Sequence, residues 1–142
     1  MGFSLVAATA IIGVSLIMCL EIIVETTVPT ITDLNESFND MRNRAINQVQ
    51  TDINITAVTY EINGSNYDIN ITVKNIGSIT LKTIYFDILV NGTKNEFTCS
   101  KPYIYPEHEV YFNVLNVSGS GERRLKIVTN NGISDYYEFI LP

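Results

Sequence analysis

The 142-residue chain contains no tryptophan, one histidine (His108) and two cysteines, Cys19 and Cys99. So few soft ligands cannot form a His/Cys metal cluster within one chain. Any histidine-dependent catalysis rests on His108 alone. Charge is also scarce: Asp, Glu, Lys and Arg make up 17% of the residues, against roughly 25% in an average soluble protein. The balance is acidic, 15 against 9, for a net charge of −6. The basic footprint of a nucleic-acid binder is therefore missing. Gly119-Ser120-Gly121 has neither the lysine nor the strand–loop–helix context of a phosphate loop. No Ser/His/Asp ordering stands out, so the expectation is a non-enzymatic protein without a cofactor.

Charged residues are absent altogether from residues 1–20, MGFSLVAATAIIGVSLIMCL. Twenty helical residues span about 30 Å, the thickness of a bilayer's hydrocarbon core. Ile22, Ile23 and Val24 prolong the run past Glu21, and Glu21 and Glu25 suit a helix end at the headgroups. No basic residue precedes the run and no small-residue cleavage site follows it, so an uncleaved anchor is favoured over a signal peptide. What remains, about 120 residues, is enough for one domain.

Lys and Arg are missing within 15 residues of either end of the span, so the positive-inside rule gives no orientation. Glycosylation chemistry does. Asn-x-Ser/Thr sequons occur at Asn35, Asn54, Asn63, Asn70, Asn91 and Asn116, six where the composition predicts about two by chance. Asn63-Gly64 and Asn91-Gly92 are also hairpin turns in their own right. The excess predicts an extracytoplasmic domain carrying N-glycans.

Beyond Pro29, which interrupts the run, Leu34, Phe38, Met41, Ala45 and Val49 form one helical stripe. Asp33 and Glu36 have capping-box spacing, with Thr32 as a competing cap. The stripe has two uses: packing on the chain's own β domain, or a seam with a copy or partner. From Asp52 the period becomes 2. Tyr67, Ile69, Ile71 and Val73 alternate with polar residues, and Ile84, Phe86, Ile88 and Val90 alternate with Tyr85, Asp87 and Leu89. The phase change between Ile53–Ala57 and Val58–Ile62 predicts a bulge or a strand that changes sheets. A weaker strand is expected around Glu96–Cys99, and others at Val110–Asn116, Leu125–Thr129 and Ile133–Leu141. About seven short strands without crossover helices predict a mainly β domain, an immunoglobulin-like antiparallel sandwich. The divisions expected are an anchor at 1–25, a helical stalk at 26–50 and the sandwich at 51–142. Asn54 and Asn70 fall opposite the apolar phase and should face solvent.

Cys19 lies in the anchor and Cys99 in the domain, where it reads as a small buried hydrophobe. Glu107, His108 and Glu109 read as a charged turn, with Glu107 and Glu109 on one side and too few oxygens for calcium. Small sandwiches bind through edges or end loops. Tyr103, Tyr105, Tyr111, Tyr136 and Tyr137 are candidate interface residues, because tyrosine buries area at low entropic cost. One of the adjacent pair Tyr136 and Tyr137 must face outward. Arg123 and Arg124 could meet a partner's carboxylate. Self-association through the stalk or a sheet edge is the remaining possibility.

The opening Met1-Gly2-Phe3-Ser4, followed by Ala7-Ala8-Thr9-Ala10-Ile11-Ile12, resembles the membrane-anchored F-type accessory proteins of the archaellum, the archaeal flagellum. Val73-Lys74-Asn75-Ile76-Gly77-Ser78, Val90-Asn91-Gly92-Thr93, Tyr105-Pro106-Glu107 and Ile127-Val128-Thr129-Asn130-Asn131-Gly132 agree in style. The resemblance implies a stationary (stator) part of the motor, with a single-pass helix in the cytoplasmic membrane. It further implies an immunoglobulin-like domain beneath or against the S-layer, S-layer protein as ligand and a G-type archaellum protein as partner. It carries no catalytic motif. The Lys/Arg-Gly cleavage signal of archaellins and pilins is missing, which disfavours a filament subunit; a surface-adhesion module is the other alternative.

Overall fold

The computed structural model describes residues 2–142, which fall into two compact units divided between Asn43 and Arg44. The chain is helical from Gly2 to Gln50. The α1 helix (Gly2–Ile22) passes through a π turn (Ile23–Thr27) into α2 (Val28–Gln50). Pro29 therefore does not end the helix. Proline has no N–H to donate and its ring crowds the carbonyl four residues back, here Glu25. A π turn widens the backbone at that place, which accommodates the ring without a break. Asp33 is not at a helix start, so no capping box forms. Thr32 instead donates its hydroxyl to the Val28 carbonyl at 3.0 Å, while Thr26 and Thr30 bond back to Ile22 and Thr26.

The second unit opens with the last turns of α2 and continues as ten strands, every pair antiparallel. One four-stranded sheet has the order β1 (Ile53–Asn63), β2 (Asn66–Asn75), β8 (Glu109–Ser118), β6 (Thr98–Cys99). The other has β10 (Ser134–Leu141), β9 (Gly121–Val128), β4 (Asp87–Val90), β5 (Thr93–Asn95). A two-stranded ribbon pairs β3 (Leu81–Lys82) with β7 (Tyr103–Ile104). The sheets are open and share one core. Ile69, Ile71, Val110, Phe112 and Val114 from the first are fully covered, as are Ile88, Leu125 and Ile127 from the second. Phe112 sits at the centre, stacked on Phe86 at 5.5 Å and edge-on to Phe97 at 5.3 Å.

The register breaks in β1 between Ile55 and Ala57, where the change of apolar phase placed a bulge. There the Ile55 N–H donates to the Asp135 carboxylate of β10 at 2.7 Å, which occupies an edge donor. The alternation holds at Phe86, Ile88 and Val90, which are buried, and fails at Ile84. Thr83–Tyr85 is a 3₁₀ turn, and Ile84 and Tyr85 are exposed. Thr83 is buried and spends its hydroxyl on the Lys101 carbonyl at 2.8 Å, so the strand starts only after Phe86.

The end of α2 is capped by the turn after β2. Ser78 N–H donates to the Gln50 carbonyl at 2.9 Å, and Ile76 and Gly77 N–H both donate to the Asp52 carbonyl at 3.0 Å. Asn75, fully buried, braces the turn through Ile79 O, Ile104 O and the Gly77 N–H. Asn131 Nδ2 donates to Thr51 Oγ1 at 2.7 Å, and Gln48 Nε2 to the Asn131 carbonyl at 3.1 Å. The approach is close enough to require glycine: a Cβ on Gly77 would lie 2.5 Å from both Asp52 N and Gln50 O.

Gly77→Ala is accordingly expected to destabilise the β unit by about 1–3 kcal/mol, and Phe112→Ala by about 3–5 kcal/mol. Urea unfolding of the full-length protein in detergent, followed by tyrosine near-ultraviolet dichroism, measures both. An unchanged midpoint for Gly77→Ala would show that the turn is free to move away.

Candidate interaction face

Strand alternation sorts the side chains of β9 and β10. Leu125 and Ile127 point into the core, which turns Glu122, Arg124, Lys126 and Val128 outward. The register sets Tyr136 opposite Lys126, Glu138 opposite Arg124 and Ile140 opposite Glu122. It adds Leu89 opposite Lys126, Asp87 opposite Val128, and Lys94 opposite Leu89. The outer face of this sheet therefore carries Arg124, Lys126 and Lys94 together with Glu122, Glu138 and Asp87, and of its cations Arg124 and Lys126 lie over the Tyr136 ring.

Tyr136 is held by those cations. The Arg124 guanidinium carbon lies 4.4 Å from the ring centroid and Lys126 Nζ lies 5.0 Å from it. Arg124 is placed by the β4–β5 turn, where Asn91 (φ +50) and Gly92 (φ +82) adopt the left-handed conformation that a tight hairpin requires. Asn91 N–H donates to the Arg124 carbonyl at 2.9 Å and accepts the Arg124 N–H on its own Oδ1 at 2.8 Å. Two hollows flank the arginine. One of about 170 Å³ is lined by Leu89, Asn91, Gly92, Arg124, Lys126 and Tyr136. The other, of about 430 Å³, includes Glu122, Arg123, Arg124, Glu138 and Ile140. Lys94 pairs with Asp87 across the strand, and among the described residues Arg124 and Lys126 make no ion pair.

The hydrogen bond from Lys126 and the charges of Lys126 and Arg124 lower the Tyr136 phenol below its ordinary value, with partial burial opposing them. Because its folded pKa is depressed, Tyr136 adds stability only at alkaline pH, and this is lost as pH falls through that pKa.

The other candidate residues lie elsewhere. Tyr137 is half-buried against the core. Arg123 is half-buried, donating from Nη2 to the Ser118 carbonyl at 3.1 Å and lying over Gly119. Tyr103 is exposed on β7 opposite Lys82, and Tyr105 is exposed beside His108, their rings 6.1 Å apart. Tyr111 is exposed on the outer face of the first sheet. Only Tyr136 and Arg124 of that set meet, and the sequence reading overlooked Lys126 and Leu89. The signal was the two-residue period, which buries Leu125 and Ile127 around Lys126 and Ile88 and Val90 around Leu89.

All six sequon asparagines are exposed. Asn54 and Asn70 stand on the outer face of the first sheet, Asn63 at the β1–β2 turn, and Asn116 at the β8 register shift with φ +58. Asn35 is on α2, and Asn91 is at the rim of the Tyr136 face. Cys99 is half-buried and donates to the Lys101 carbonyl at 3.1 Å. Glu107, in a left-handed turn conformation, pairs with Lys74 at 2.9 Å and raises the lysine's pKa through that bond. His108 Nδ1 lies 2.9 Å from the Pro106 carbonyl. Among the described residues no three His, Cys, Asp or Glu side chains come together.

No protein-family model and no curated protein matches the sequence. The chain is similar to a solved structure, the archaellum periplasmic stator protein FlaG from Sulfolobus acidocaldarius. Identity is 20% and the TM-score 0.52, over 63% of this chain and 99% of that one. It also matches the archaellum periplasmic stator complex of FlaF and FlaG from the same organism, at 20% identity and TM-score 0.48, over 61% and 87% of the two chains. The first likeness is one of fold.

Alkaline titration of the eight tyrosines, read by tyrosinate absorbance, is expected to lose its earliest-ionising component in Tyr136→Phe. Lys126→Gln should move that component to higher pH. An unaltered onset in both variants would remove the cation-held tyrosine from the description of this face.

Proposed function

We propose that the protein is a non-enzymatic structural component of the archaellum motor, fixing its stationary part to the cell envelope. The apolar α1 helix anchors it in the archaeal cytoplasmic membrane as a single span. The β unit is an immunoglobulin-like sandwich outside that membrane, carrying N-glycans on its exposed sequons and binding S-layer protein. The amino-terminal residues favour the F-type place, with a G-type protein as neighbour.

The observation that carries this reading is a likeness spanning 99% of a periplasmic stator protein's fold, in a chain that also has one helix long and apolar enough to cross a membrane. A rotating motor needs a counter-torque, so some element must couple membrane to wall without turning. A spanning helix resists extraction because each buried apolar side chain is worth about 1.5–3 kcal/mol. The capped helix end at Gln50 and Asp52 gives load a hydrogen-bonded entry into the β unit. The Tyr136 face suits an acidic or carboxylate-bearing partner surface, because its two unpaired cations flank an aromatic anchor. The middle of that face holds no sequon, whereas the first sheet's outer face holds Asn54 and Asn70. Glycans on Asn54 and Asn70 would cover the first sheet, and the second is the open side where Asn91, which lines the hollow beside Tyr136, carries none.

Deleting the gene should abolish swimming while filament subunits are still made; normal swimming overturns the proposal. In mild detergent, the full-length protein should retain S-layer protein, and Arg124→Glu with Lys126→Glu should reduce retention on the order of tenfold. Recovery along sheared filaments instead would assign the chain to the filament.

A further inference from the structure

The apolar stripe of α2 starts one turn earlier than the five residues first noted, because Ile31 is also exposed on it. Ile31, Leu34, Phe38, Met41 and Ala45 are separated by three, four, three and four residues, the a/d spacing of a two-helix seam. Each of the four large ones is more than half exposed: Ile31 61%, Leu34 57%, Phe38 60% and Met41 65%. The β unit does not take up the stripe's last member either, since Val49, which belongs to that unit, is 87% exposed. The next heptad place is Gln48, and its amide is already committed to Asn131. The seam therefore stops where the helix becomes part of the β unit.

We propose that this stripe pairs with the same stripe of a second copy, in a parallel, in-register two-helix seam over residues 31–45. Charge does not oppose the symmetric pair. In parallel pairing, the flanking Arg42 meets Ser37 of the copy and Arg44 meets Val49, so no like charges face each other. Asp33, Glu36 and Asp40 lie on the far side of the helix, away from the contact. Asn35 lies at a flanking place, which is the solvent edge of a two-stranded seam. Parallel alignment rests on the membrane reading above, because two copies leaving one membrane through the same span start at the same height. Two heptads are too short to pair strongly in free solution. Anchoring both helices in one bilayer supplies an effective concentration on the order of millimolar.

The test uses the full chain with Cys19→Ser and Cys99→Ser, reconstituted sparsely in phosphatidylcholine vesicles and oxidised with copper phenanthroline. Leu34→Cys and Met41→Cys should cross-link several-fold faster than Glu36→Cys and Asn43→Cys, and Phe38→Glu should abolish the difference. Equal rates on both faces, or cross-linking only after a different envelope protein is added, overturns the second copy as occupant. Alkaline carbonate extraction of the same vesicles reads the anchor separately. A retained chain without a face preference overturns the seam alone, whereas a stripped chain overturns the anchor and the seam together. Energy transfer between amino-terminally labelled chains that keep both cysteines, expected to fall on Phe38→Glu, guards against a folding defect in the serine background.

Discussion

An apolar helix without a polar face needs a solvent other than water, and this requirement governs the rest of the molecule. Phe3, Leu5, Val6, Ile11, Ile12, Leu16, Ile17, Met18 and Leu20 are all exposed around α1. Burying such a helix inside a protein would take neighbours on every side. A bilayer supplies them at once, and it accepts the backbone because a helix satisfies its own N–H and C=O groups. Glu21 and Glu25 then mark the end of the apolar stretch. The proposed orientation, the proposed glycans and the proposed parallel seam each presuppose that helix in lipid.

At the other end of the helix the constraint is polar. A helix terminus leaves carbonyls without partners, and here the turn Asn75–Ser78 reaches across to supply donors to Gln50 and Asp52. That arrangement needs a glycine at 77, a buried amide at 75 and Gln48 held against the β9–β10 turn by Asn131. These contacts make the last turns of α2 part of the β unit. For a protein whose proposed task is to carry load, this is the place where force on the helix enters the sheets.

Much of the β unit was legible in the sequence because its long strands alternate. Tyr67–Val73, Val110–Val114 and Leu125–Ile127 each bury the residues that period 2 selects. The β1 bulge showed as a change of phase, and Asn91-Gly92 showed as a turn. Short pieces were less legible. β3 and β7 have two residues each, too few for any period to appear, while β6 lies within the weaker strand expected around Glu96–Cys99. Ile84 failed because a buried threonine hydroxyl tightened the chain into a 3₁₀ turn, an interaction with Lys101 that no local pattern encodes. Pro29 failed as a helix end because a π turn absorbs its ring. The candidate interaction face was half visible. Tyr136 and Arg124 stand out by residue type, but their meeting with Lys126 depends on cross-strand register, which composition does not contain.

An envelope-binding role requires the β unit to lie outside the membrane. Protease added to intact cells, or to right-side-out vesicles, should remove the carboxy-terminal portion and leave a membrane-protected fragment containing α1. Full protection of the β unit until the membrane is dissolved would place it inside the cell and contradict the anchoring, glycosylation and envelope-binding readings together.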